Sequence, residues 1–144
     1  MDLISLVSKV KIISAANNEK QELPTLLKNL KKIFGKNIKG PIFQGEREFM
    51  ASIKHSYVLD IARFFSNRGV TRLAAISSWD NDQEISIAYH YIATIGKVAL
   101  DSKITITSFL PKETLEIISI REFYPSARIF EDEIKEKFNL SYKE

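Results

Sequence analysis

The chain has 144 residues, 44% hydrophobic and 27% charged, with a formal net charge of +3. That profile fits a single globular domain with room for a core, and the charge excess is too small to argue for nucleic acid by itself. Cysteine is absent, which excludes disulfides, thiolate zinc sites, cysteine-ligated iron–sulfur clusters and cysteine nucleophiles; His55 and His90 alone do not make a histidine-rich metal site.

The N-terminal stretch "MDLISLVSKVKIISAA" is apolar, but it opens on Asp2 and is broken by Lys9 and Lys11. A secretory signal places positive charge first and then an unbroken apolar run, so none is expected. No apolar run is long enough to span a bilayer, and the chain reads as cytoplasmic. Leu3, Leu6, Val7 and Val10 fit a short helix or strand over residues 3–13, and polar "NNEKQE" breaks it. "LPTLLKNLKKIFG" predicts a helix with Pro24 in its first turn and Gly35 at its end. Its apolar stripe is Leu23, Leu26, Leu27, Leu30, Ile33 and Phe34. "GKNIKGPIFQG" carries three glycines and a proline and reads as a linker. Residues 1–45 are then an N-terminal helical extension with its linker, and residues 46–144 the main domain.

From there the hydrophobic period changes repeatedly. "REFMASI" alternates as a strand. "SYVLDIARFFSNRG" predicts a helix with Ser56 as N-cap and Gly69 closing it. "VTRLAAISSW" follows as a strand and "DND" as a turn. "EISIAYHYIA" is the clearest strand, with Ile85, Ile87, Tyr89 and Tyr91 on one face. "TIGK" turns the chain, and "DSKITITSFLP" gives a strand with Ile104 and Ile106 on one face. Three strands joined by short turns make a meander. The fold class is α+β: a two-layer arrangement of a mainly antiparallel sheet with helices packed on it.

"SIRE" has the capping-box pattern, with Ser119 and Glu122 as the reciprocal pair. The following run, "YPSARIFEDEIKEKFNL", predicts a helix whose buried stripe is Ala127, Phe130, Ile134 and Phe138. Glu131 with Lys135, and Glu133 with Lys137, are spaced as ion pairs contributing about 0.2–0.5 kcal/mol each. Acids at the start and lysines at the end suit the helix dipole. Glu131, Asp132 and Glu133 are consecutive, so they fan around the helix and do not converge as catalytic carboxylates.

The order of residues in this run resembles the signature of the thirty-kilodalton subunit family of complex I, whose members also occur in membrane-bound hydrogenases and formate hydrogenlyase-type complexes. The family run has the form P-A-A-x-W-Y-E-R-E-x-x-D-M-F-G-I. Pro125, Ala127, Phe130, Glu131, Glu133, Glu136, Phe138 and Leu140 fall on matching or similar positions without a gap. "FFSNRGVTRLAAISSWD", "ISIAYHYI" and "LEIISIREFYPSA" are similar to segments upstream of it, so the resemblance covers residues 46 to 140. Asp132 stands where the family has arginine, reversing a charge, and Asn139 where it has glycine. Asn is the next-best residue at a left-handed helix end. The short chain is closer to the hydrogenase and archaeal types than to respiratory members.

The resemblance implies an accessory subunit that is not catalytic alone and binds no cofactor or metal. It would brace the hydrogenase-like large subunit and small iron–sulfur subunit of a complex I-like or hydrogenase-type oxidoreductase. It would lie on the cytoplasmic side, meeting the membrane only through that complex. Docking would run through Pro125, Phe130, Glu131, Glu133, Glu136 and Phe138.

Other features have commonplace readings. Lys28, Lys31, Lys32, Lys36 and Lys39 suit the solvated face of a helix and a polar linker; docking to an acidic partner or to anionic headgroups is the sharper alternative. No aromatic residues interleave with these lysines as single-strand binders require. His55 reads as a partly exposed residue before a helix, His90 as a hydrogen-bonded surface residue, and Tyr89 and Tyr91 as core. Trp79 and Asp80 read as a core aromatic with a turn residue. The competing function, a small basic nucleic-acid-binding module, predicts binding that weakens steeply with salt. The apolar N-terminal part is also a candidate for self-association when no partner is present.

Overall fold

The computed structural model describes residues 23–45, 47–95 and 100–143. The stretch over 3–13, the polar break after it and the end of the "TIGK" turn lie outside the described residues. Helix α1 spans Leu23–Phe34 and α2 spans Val58–Asn67. Strands β1 (Ile38–Gly45) and β2 (Glu48–Lys54) lie between them; β3 (Arg72–Asn81), β4 (Glu84–Ile95) and β5 (Leu100–Pro111) follow. A two-residue strand β6 (Glu116–Ile117), helix α3 (Ala127–Phe138) and a two-residue strand β7 (Ser141–Tyr142) complete the chain.

The five long strands form one sheet in the order β1-β2-β5-β4-β3, and β6 pairs with β7 apart from it. Every pairing in the large sheet is antiparallel except β2 with β5. The meander β3-β4-β5 is therefore as the turns predict. β2 inserts next to β5, and β1 is one edge.

Alternation along β4 puts Ile85, Ile87, Tyr89 and Tyr91 in register with Leu110, Ser108, Ile106 and Ile104 of β5. All eight are buried and face the helices' apolar stripes. Burying such an apolar side chain is worth about 1.5–3 kcal/mol. A run of edge-to-face aromatic contacts crosses this core from α1 toward the segment before α3. Phe34 meets Phe64 at 6.1 Å, Phe64 meets Phe65 at 5.6 Å, Phe65 meets Tyr91 at 4.8 Å and Tyr91 meets Tyr124 at 5.2 Å. Each such pair adds about 0.5–1.5 kcal/mol beyond area. The other sheet face is hydroxyl-rich, and His90 bridges Ser77 and Thr105 across three strands at 2.9 and 3.3 Å. His90 is thus the hydrogen-bonded histidine that its strand position predicts.

Three local expectations need correcting. The segment read as a linker is strand β1, and Ile38 joins the same hydrophobic cluster as α1. An edge strand tolerates the proline and glycines that mark loops, and β1 shifts register between Lys39 and Ile42. Ser56 does not cap α2: a 3-10 turn (His55–Tyr57) intervenes, and the N-cap Tyr57 makes no side-chain bond. Ile33, assigned to the stripe of α1, is 56% exposed, because Leu26, Leu27, Leu30 and Phe34 already fill the inward face. Gly69 does close the helix end: at φ +85 it lets Val70 N–H reach Phe65 O (3.0 Å) and Gly69 N–H reach Ser66 O (3.4 Å).

Candidate docking site

The C-terminal helix is placed by the segment that precedes it. Ile117 and Ile120 are fully buried, and the Tyr124 hydroxyl donates to Val70 O at 2.6 Å, tying the segment to the start of β3. Burial pushes the Tyr124 hydroxyl well above its ordinary pKa, so it remains a donor. Ala127 N–H bonds Tyr124 O (2.9 Å) and opens α3, which packs along β3. Asn139 ends the helix in the left-handed conformation (φ 54, ψ 49), with Leu140 N–H returning to Lys135 O at 2.8 Å. Asn therefore does what the family's glycine would do.

Glu131 is completely buried. Its Oε2 accepts from Ile120 N–H at 2.7 Å, and its Oε1 from the Ser119 hydroxyl at 2.8 Å and Arg121 Nε at 3.4 Å. The carboxyl group of Glu131 on the helix thus holds the preceding loop through converging hydrogen bonds. Ser119 accepts Arg121 N–H (3.2 Å), so the capping box with Glu122 does not form. Outside Glu131, Arg121 also faces Asp132 (3.5 Å) and lies over the Tyr142 ring at 4.5 Å. The Tyr142 hydroxyl donates to Asp132, and Arg128 approaches the same carboxylate at 3.8 Å. The Tyr142 bond, aided by the arginines, holds Asp132 below the ordinary carboxylate range. Burial, followed by that bond, raises Tyr142 to about 12.

The six residues nominated for docking therefore divide. Pro125, Glu133 and Glu136 are exposed, and Phe130 and Phe138 are half-buried against the core. Glu131 faces inward with no exposed surface, and within this chain it acts as an internal latch. Neither expected ion pair forms: Lys135 lies over Tyr142 at 5.0 Å, and Lys137 donates to Ser78 O at 3.3 Å. Sequence reasoning passed over Ile129, which is 68% exposed on α3 and lies off the apolar stripe. Trp79, read as core, is 45% exposed at the end of β3.

His55 is also buried, contrary to its expected exposure. Its Nε2 accepts Ile118 N–H at 2.9 Å, so Nδ1 carries the proton and donates to Ser108 Oγ at 3.0 Å. The Ser108 hydroxyl in turn donates a hydrogen bond to Ile87 O at 3.1 Å. Burial, and secondarily the charge of Lys143, lowers the imidazole to about 4. A cleft of about 920 Å³ opens beside it. Among the described residues, no three His, Asp or Glu side chains gather as a metal-ligand set. No described helix is long and apolar enough to cross a membrane.

The sequence model of the family described as "Respiratory-chain NADH dehydrogenase, 30 Kd subunit" matches residues 51–144, which include α3 and the loop that Glu131 holds. The chain belongs to that family. Members of the 30 kDa family are peripheral subunits of multi-subunit, membrane-bound respiratory complexes, so the partners of this 30 kDa-family chain are other subunits of such a complex. Among solved structures, the trypsin-resistant fragment of Nqo5 is similar at a TM-score of 0.66 and 15% identity, covering 81% of this chain and 93% of that one. The membrane-bound sulfane sulfur reductase (MBS), an archaeal respiratory membrane complex, contains a chain similar at a TM-score of 0.66 and 18% identity, covering 81% and 69%. At these identities the likeness establishes the fold. A search of curated proteins finds no match.

Proposed function

We propose that this chain is an accessory, cofactor-free subunit of a membrane-bound oxidoreductase of complex I or hydrogenase type. It braces the hydrogenase-like large subunit and the small iron–sulfur subunit on the cytoplasmic side. The observation that carries the reading is the outward side of α3. There Ile129, Glu133 and Glu136 are exposed on a helix whose inner side is locked by Glu131, with Pro125 exposed just before it, within the segment matched to the family. A rigid helix with an exposed apolar residue beside acids suits an interface anchor with a polar rim. The solved relative in an archaeal respiratory membrane complex supports the same setting.

Affinity purification of the tagged full chain from its native cells, under gentle extraction, tests this. A hydrogenase-like large subunit and an iron–sulfur subunit should copurify in fixed proportion. Recovery of the chain alone overturns the reading. The nucleic-acid alternative finds no support in the comparisons.

A further inference from the structure

The cleft beside His55 lies away from α3, and its lining has two layers. Ile53, Phe109 and Leu110 form an apolar, buried or half-buried floor. Lys36, Lys39, Lys54 and Lys143 are exposed around it. None of these four lysines makes an ion pair among the described residues, although Lys112, Arg72 and Arg121 elsewhere all do. Glu84 and Glu116 also line the cleft, leaving a local excess of two positive charges in a chain whose whole excess is +3. The lysines come from three places in the chain: the end of α1 with the start of β1, the end of β2, and the C-terminal residues after β7. The fold therefore concentrates the charge.

We propose that this cleft is a second docking surface, which takes an acidic, amphipathic peptide segment of a neighbouring subunit. This rests on the subunit reading above and gives it a specific partner chemistry. An apolar floor ringed by ammonium groups matches a segment that buries an apolar side chain and offers carboxylates to either side. A small anion would use the ring alone and leave the floor wet. The cleft is at the upper end of the ~300–1,000 Å³ range of compact ligand sites, with room for several side chains. A second copy of this chain is a poor occupant: the most acidic of its described helices, α3, sets three basic residues against four acidic ones.

Zero-length carbodiimide coupling of the native complex, followed by peptide sequencing, reads lysine–carboxylate contacts directly. The expected result is links from Lys39, Lys54 or Lys143 to aspartates or glutamates of one segment in another subunit. In the double variant Lys54→Glu with Lys143→Glu, those links vanish and retention of that subunit at physiological salt falls about tenfold. Retention in Lys28→Glu with Lys32→Glu stays unchanged. Links to other subunits from lysines outside the cleft, with none from inside it, overturn the cleft and leave the subunit reading standing. Cleft links only to a second copy of the chain also overturn it. A native chain without any partner subunit removes both.

Discussion

Two buried polar side chains, Glu131 and His55, each accept a backbone N–H from the segment before α3. Three donors converge on the buried carboxyl group of Glu131, all of them from residues 119–121 of the loop before α3. Removing the carboxyl group leaves the Ile120 N–H buried and unpaired. Glu131→Ala should therefore cost about 3 kcal/mol, read as a lower midpoint in urea unfolding, whereas Glu131→Gln keeps one acceptor and should cost less. Equal losses for both would mean that packing, not the bonds, matters. His55 is neutral: both ring nitrogens are engaged, and Nε2 must stay unprotonated to accept from Ile118. Its folded value of about 4 lies below the ordinary 6.5, so between the two the unfolded chain binds the proton more readily. Stability is full above the higher value and is lost as pH falls toward the lower one, by about 3 kcal/mol. Urea titrations at neutral and acid pH should show that slope in the native chain and a shallower one in His55→Gln. Identical slopes would sink the assignment.

The elements differ in how openly their residues declare them. β4 was legible because one strict alternation serves one face, and α3 because its stripe, its charge order and its left-handed Asn139 agree. β1 was not, because its glycines and Pro41 are loop-forming residues tolerated only at an edge. Gly40 shows the cost of reading composition alone. It sits at φ +99, and a Cβ there would lie 2.8 Å from Met50 O, so the glycine permits β1 to close on β2. Gly40→Ala should destabilise by about 2 kcal/mol or more through strain and clash. Faster hydrogen exchange in β1 and β2, with little change in β4, would locate the damage; unaltered exchange in β1 would contradict it. The candidate site was half legible for a similar reason. Helical spacing places Glu131, Glu133 and Glu136 on α3, but only the path of residues 119–121 decides that the first is buried. That contact joins groups ten or more positions apart, which no local pattern reports.

At the scale of the whole molecule, the core and the proposed contacts occupy different sides of the same elements. The helices and one sheet face close around Phe65, Tyr89, Tyr91 and Ile106. Ile129, Glu133 and Glu136 point away from it, with no ion pair among the described residues to hold them. Changes there should leave folding alone, since surface substitutions away from such features shift stability by about 0.5 kcal/mol or less. They should nevertheless weaken assembly if α3 is a docking helix. The triple variant Ile129→Ser, Glu133→Lys and Glu136→Lys is thus expected to unfold at the native urea midpoint but to copurify with its partner subunits at least about tenfold less well, as loss of an anchor and reversal of its rim would produce. Undiminished copurification with native stability would remove α3 from the interface while leaving family membership untouched. A matching fall in stability would instead show that these side chains serve the fold.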